Sequence, residues 1–335
     1  MFVELVGNRS SFFYDHLVCV RSFQLKSRSR GNVRRIYIPS LSDNLTSFRN
    51  LFVLWDELLN QESDDVVFDF SRSRYLKQNA VVMLGGIARA IEQRGRKFSF
   101  DWKSCQPAVL RNLDRNQFKS SFDDSYSDSI GNTIPYRHNI EKDKNALIPY
   151  LLDYWLGRGW VNVSEALANA ITGVLWEIYE NAFTHGHSGI GVFTCGQRFP
   201  RTKKLSLSVV DFGIGIPESV QRFFQRRLRT PSDMNDLGNT LRILSNQSAA
   251  LEWAFIRGTS TKNLETGGLG LHTLKSFIQK NHGSMRLFSN RAYLVLDEQG
   301  ERYSSQKTRF DGTFINITLN CDADRYRYFL QSEAI

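Results

Sequence analysis

The chain has 335 residues, 41% hydrophobic and 13% aromatic, enough for a core in each of two domains and too much for a disordered polypeptide. Its net charge of +9 suits partners that carry phosphate or acidic groups. Cys19, Cys105, Cys195 and Cys321 stand apart without disulfide or zinc spacing, no apolar run spans a bilayer, and the N terminus has no signal pattern. A cytoplasmic protein without membrane contact is therefore expected.

In chain order, basic residues cluster first over Arg21 to Arg35, the only part outside the later Arg-rich segment that invites a nucleic-acid reading. No nucleic-acid motif accompanies them, so DNA or RNA is compatible but not favoured. Leu45 to Asn60 reads as a helix with Phe48, Leu51, Phe52, Trp55 and Leu59 on one stripe. Asp65 to Ser71 reads as a buried strand, Ala80 to Arg94 as a helix, and Lys97 to Phe100 as a further strand. This β-α-β rhythm predicts an α/β domain over 1–119, with the helix stripe packed on that domain's own sheet. The polar run Ser120 to Ser129 predicts a linker, placed at 120–140. Leu147, Tyr150, Leu151, Tyr154 and Trp155 then open a second domain, placed at 141–325.

Within it, Leu167, Ile171, Val174, Ile178 and Ala182 recur at helical spacing. Glu177 and Asn181, one turn apart on that helix, can face one ligand together. An amide carbonyl suits Mg²⁺, and a carboxylate can hold a metal-bound water or accept its proton. The alternative is two surface polar residues on an amphipathic helix. His185 and His187 lack a third ligand and read as polar residues at the helix end. Ile190 to Thr194 and Leu205 to Val210 read as strands joined by a turn. The second delivers Asp211, followed by Phe212, Gly213, Ile214 and Gly215. A lone carboxylate at a strand end can accept from an exocyclic amine, and the glycines can adopt angles that let a ligand approach closely. Read alone, the same residues make an ordinary turn.

Glu218 to Ile256 carries Arg222, Arg226, Arg227, Arg229 and Arg242, compatible with a mobile basic lid or with a solvated helix pair. Next come Thr261 and Lys262, then Gly267, Gly268, Leu269 and Gly270 leading into a helical pattern at Leu271, Leu274 and Ile278. Glycines that open a helix expose free N–H groups to an anion, and Lys262 could reach a terminal phosphate. Ala292 to Leu296 and Thr313 to Leu319 add strands, predicting an antiparallel or mixed sheet with helices on one face.

Taken in this order, the motifs resemble the Bergerat-fold ATPases, the superfamily of gyrase, the large heat-shock chaperone, histidine kinases and MutL. The resemblance covers about 145–320. It implies α/β and α+β architecture, with ATP and Mg²⁺ held in an α/β sandwich. It assigns Glu177 to catalysis, Asn181 to the metal, with Glu177 acting on it through water, and the nucleotide to Asp211, Gly213, Gly215, Thr261, Lys262, Gly267, Gly268, Leu269, Gly270 and Thr313. The stretch Glu177 to Gly186 looks most like the anti-sigma-factor serine kinases. The first domain is weakly similar to STAS domains, but their phosphoacceptor loop would fall at Lys77, Gln78, Asn79 and Ala80, where there is no hydroxyl. Such a domain implies a protein partner or a homodimer. For ATP, three outcomes stay open: a hydrolysis-driven switch, phosphotransfer to a protein, or a non-catalytic assembly module.

Overall fold

A computed structural model describes residues 33–60, 65–124, 130–184, 189–227, 237–256, 258–259 and 270–321. Its N-terminal part is a parallel sheet in the order β1 (Val33–Tyr37), β2 (Asp65–Asp69), β3 (Phe98–Asp101). The crossovers are α1 (Leu45–Leu59) and α2 (Gln78–Gln93), and α3 (Pro107–Arg115) follows. Asn44 caps α1 by accepting from the Ser47 N–H at 2.8 Å, satisfying one of the free donors of the first turn. Two arginines of the basic cluster are paired with carboxylates of this part. Arg34 is buried beside Glu57, and Arg35 donates to Asp69 and Asp101, both at 2.7 Å.

The second sheet is antiparallel, in the order β4-β5-β6-β8-β7: β4 (Thr133–Asn139), β5 (Val192–Phe199), β6 (Lys204–Asp211), β7 (Ser284–Asp297) and β8 (Gly300–Asn320). One face packs on α4 (Lys144–Leu151), α5 (Glu165–Thr184) and α9 (Gly270–Lys280). The alternation in β6 explains this, because Leu205, Leu207 and Val209 project to that face among Leu175, Tyr179, Leu274 and Phe277. The Tyr179 hydroxyl ties α5 to the sheet at Thr194. Between β6 and α9, α6 (Ile216–Arg227), α7 (Leu237–Ser245) and α8 (Gln247–Ala254) share a small core of Val220, Ile243 and Ala250.

Three expectations change here. The expected linker at 120–140 is largely structured: Phe122 packs against Phe98, Phe100 and Phe118, and Thr133–Asn139 forms the sheet edge. Pro135 is tolerated in β4 because an edge strand has one side free of ladder bonds. The sheet is also covered on both faces rather than one. Finally, the α1 stripe packs on the second sheet. Phe48 lies 4.9 Å from Phe314 between ring centroids, Phe52 4.5 Å from Phe310, and Trp55 4.2 Å from Phe212. Phe193, Val210, Phe288 and Phe314 of the second sheet therefore share one core with Ile36 and Phe68 of the first sheet and Ile87 of α2. A half-buried sheet face this aromatic is apolar surface that must be covered, and α1 and α2 cover it.

Candidate functional site

The site begins at the end of β6. Register pairs Asp211 with Thr313 on β8 and with Val192 on β5, and Asp211 projects to the same face as Leu207 and Val209. Its carboxylate accepts from the Gly213 N–H at 2.9 Å and from the hydroxyl and N–H of Thr313. Burial pushes its pKa up to about 6, and those hydrogen bonds pull in the opposite direction. Asp211 is thus a buried carboxylate with fixed donors on one side, ionised at neutral pH, at the end of a sheet.

The glycine loop after it is held from β7. Ser289 Oγ accepts from the Ile216 N–H at 2.8 Å and donates to the Gly312 carbonyl at 2.7 Å. Asn290 donates to the Ile214 carbonyl at 2.8 Å and accepts from the Glu218 N–H at 3.1 Å. Gly215 has φ +83°, and a Cβ there would lie 2.6 Å from Asn290 Oδ1, so both conformation and space demand glycine. Gly213 has no positive φ; its contribution is the N–H given to Asp211. The expectation of unusual backbone angles holds for Gly215 alone. Ser289 and Asn290 were absent from the sequence reading. Their signal is a polar pair interrupting an apolar strand pattern, and the structure places a register shift there, with Asn290 at φ 52°.

The second element is α5. Glu177 and Asn181 are both half-buried, one turn apart. Glu177 lies against the first residue of α9, where a Cβ on Gly270 would collide with its carboxylate. Glu180 instead pairs with Lys142 at 2.6 Å on the surface. The short connection from Thr184 to Val192, the register partner of Asp211, brings the end of α5 bearing Asn181 to the same end of the sheet as Asp211. Gly270 reaches this region through α9. Thr261, Lys262, Gly267, Gly268 and Leu269 lie outside the described residues, as do His185, His187 and Arg229.

The segment read as a lid is helical where described. Arg222 donates to Glu218 at 2.6 Å and Arg242 to Glu252 at 3.0 Å, while Arg227 lies over the Phe223 ring. Burial pushes Glu218 up, but hydrogen bonds from Arg309 and Arg222 outweigh it and hold its carboxyl below the usual range. These arginines are engaged within the helical unit. Cys195 is fully buried, and burial raises its thiol pKa, which disfavours the thiolate.

An antiparallel sheet with α4, α5 and α9 on one face and α1 and α2 on the other, a buried carboxylate at a strand end and a helix bearing Glu177 and Asn181 above it make an α/β sandwich suited to a nucleotide. Residues 166–322 match the family described as Histidine kinase-, DNA gyrase B-, and HSP90-like ATPase. That part of the chain belongs to this family and is an ATP-binding domain of the type shared by ATPases and kinases. Among curated proteins, none matches the chain. No helix of the described residues is long and apolar enough to cross a membrane.

Proposed function

We propose that the chain binds Mg²⁺-ATP between α5, α9 and the end of β6, and that hydrolysis there switches the shape offered to a partner protein. The observation that carries this reading is Asp211, a buried carboxylate with Thr313 and Gly213 as fixed donors and its remaining acceptor capacity at the pocket end. That capacity suits the adenine amine. Gly215 lets the base approach, and Gly270, with the glycines before it, offers the start of α9 to phosphate. The donor set fits Mg²⁺. Asn181 supplies one hard oxygen, Glu177 stands one turn earlier, and Mg²⁺ takes its other ligands from phosphate and water. When bound, the ion would neutralise charge on the phosphates. Glu177 would orient the attacking water and accept its proton.

Two units divide this work, a module over 33–122 and an ATP-binding unit over 133–321. Phosphotransfer to the chain's own residues Lys77 to Ala80 is disfavoured by their lack of a hydroxyl and by the burial of Gln78 and Asn79 at the start of α2. Gln78 is 2% exposed and Asn79 0%, and Gln78 donates to Asn316 of β8 at 3.2 Å. A partner would then meet the remaining surface of the module.

Incubation with Mg²⁺ and γ-labelled ATP tests the proposal. Release of labelled phosphate by the wild type, lost roughly 100-fold or more in Glu177→Ala with ATP binding retained, is the expected result, a magnitude typical of removing a general base. Label transferred to protein would establish the kinase instead. Phosphate release unchanged in Glu177→Ala would remove Glu177 from the mechanism.

A further inference from the structure

Asp211 and Phe212 are neighbours on the chain and face opposite sides of the sheet. Asp211 faces the side covered by α5 and α9, while the Phe212 ring lies in the seam between the second sheet and the N-terminal module. There it stacks on Trp55 of α1, with centroids 4.2 Å apart and planes at 28°. It also meets Phe193 of β5 at 5.6 Å and Phe310 of β8 at 5.5 Å, both edge-on. The fourth wall is Gly86 of α2, where a Cβ would collide with the ring carbons Cε2 and Cζ. The adjacent Gly85 admits Tyr136 of β4 in the same way. Two consecutive glycines in a helix interior cost helix stability, so their presence at the closest approach of α2 to the second sheet marks a seam built around these rings.

From this geometry we infer that the N-terminal module positions the adenine end of the pocket, with Phe212 as the positioning residue between them. The inference rests on the nucleotide reading of Asp211. A ring fixed by Trp55 and Gly86 fixes the Cα of Phe212, and with it the peptide units on either side. The first of these follows Asp211, and the second carries the Gly213 N–H that holds the Asp211 carboxylate. On the far side, Gly312 lets β8 lie directly against this stretch, since a Cβ there would collide with the Asp211 carbonyl and come within 2.9 Å of the Phe212 Cα. Displacing the ring therefore moves the one carboxylate that reads the base, without touching any group that faces the phosphates. Coupling of this kind is reciprocal, so nucleotide would also bias the seam and the module surface beyond it.

Two opposed perturbations test this. Gly86→Ala pushes the ring from one side, and Trp55→Ala removes its platform from the other. Binding of ATP and of purine riboside triphosphate, which lacks the 6-amino group, is measured for the wild type, both variants and Asp211→Asn. Far-UV circular dichroism confirms the fold, and Trp55→Leu replaces Trp55→Ala should that variant not fold. The expected result is a wild type that prefers ATP and variants whose preference falls roughly tenfold, within the usual range for coupled sites, with purine riboside triphosphate affinity unchanged. Folded variants that keep the wild-type preference would overturn the role of Phe212, as would equal losses for both ligands, which a merely structural role produces. A wild type without ATP binding or without base preference, or an Asp211→Asn variant that retains that preference, would instead overturn the assignment of the pocket.

Discussion

Replacing Asp211 by Asn should make the protein more stable and unable to bind ATP. Burial holds the Asp211 pKa at about 6 against an ordinary value of 3.8, so the folded protein keeps a proton between these pH values that the unfolded chain releases. Stability therefore falls as pH rises through that window and stays lower above it. A shift of about two units corresponds to about 3 kcal/mol of cost to the ionised form at neutral pH. Asn carries no charge and can still accept from the Gly213 N–H, but its amide group meets the donors of Thr313, which returns about 1–2 kcal/mol of the gain. A net stabilisation of about 1–2 kcal/mol above pH 6 is expected. The assay is urea unfolding of both proteins at matched pH values from 4 to 8. The difference in unfolding free energy, variant minus wild type, should grow by up to about 3 kcal/mol from pH 4 to pH 7 and then level off. A difference that is flat, or that shrinks as pH rises, would refute the buried-carboxylate argument. The same titration predicts that wild-type ATP affinity declines as pH falls through about 6, because a protonated carboxyl is a weaker acceptor for the adenine amine than the carboxylate.

Further outcomes follow from the glycines. Gly215→Ala forces a side chain into positive φ against Asn290 and Ser289, and should cost about 1–3 kcal/mol in thermal or chemical unfolding together with ATP binding. Stability equal to wild type would show that the loop is not held from β7. Gly270→Ala presses on the Glu177 carboxylate, the movable end of a side chain, so the phosphate-release rate should fall while stability changes by less than about 1 kcal/mol. An unaltered rate would separate Glu177 from the chemistry.

The site was legible in the sequence where its parts are local. Glu177 and Asn181 needed only the helical period, and Asp211 needed only the alternation of β6 and the glycines after it. The parts that hold the site were hidden because they depend on distant pairing. Val33–Tyr37 carries two arginines and shows no strand pattern until Glu57, Asp69 and Asp101 are brought beside them. Thr133–Asn139 contains Pro135, and its burial comes from β5 on one side and from the Asn116 carbonyl, which accepts from the Tyr136 N–H at 2.6 Å, on the other. The aromatic stripe of α1 was visible as a stripe. Its target was not, since two apolar sheet faces were available and periodicity cannot choose between them. Phe212, between Asp211 and Gly213, carries no sequence signal of its packing for the same reason.

What chooses between those faces is polarity along the second sheet. On the side away from α5, Val210 and Phe314 lie toward the Asp211 end, while Ser206, Ser208, Asn316 and Thr318 lie toward the other. The polar half is internally bonded, with Ser208 donating to Asn316 at 2.7 Å and Ser206 paired with Thr318 at 2.8 Å. The module matches this split: the rings of α1 sit on the apolar half, and Gln78 at the start of α2 completes the polar half through Asn316. Docking turned end for end would set the phenylalanine rings on the polar half and separate buried Gln78 from Asn316, at about 1–3 kcal/mol for each polar group left unsatisfied, so the match fixes one orientation. With Phe52, Phe288, Phe310 and Phe314 all buried in the shared core, neither unit can unfold without exposing the other's aromatic face. A single cooperative transition is therefore expected when far-UV circular dichroism and tryptophan fluorescence are followed together in urea. Two separated transitions would mean that the seam is weaker than its packing implies, and that the module is free to leave the sheet.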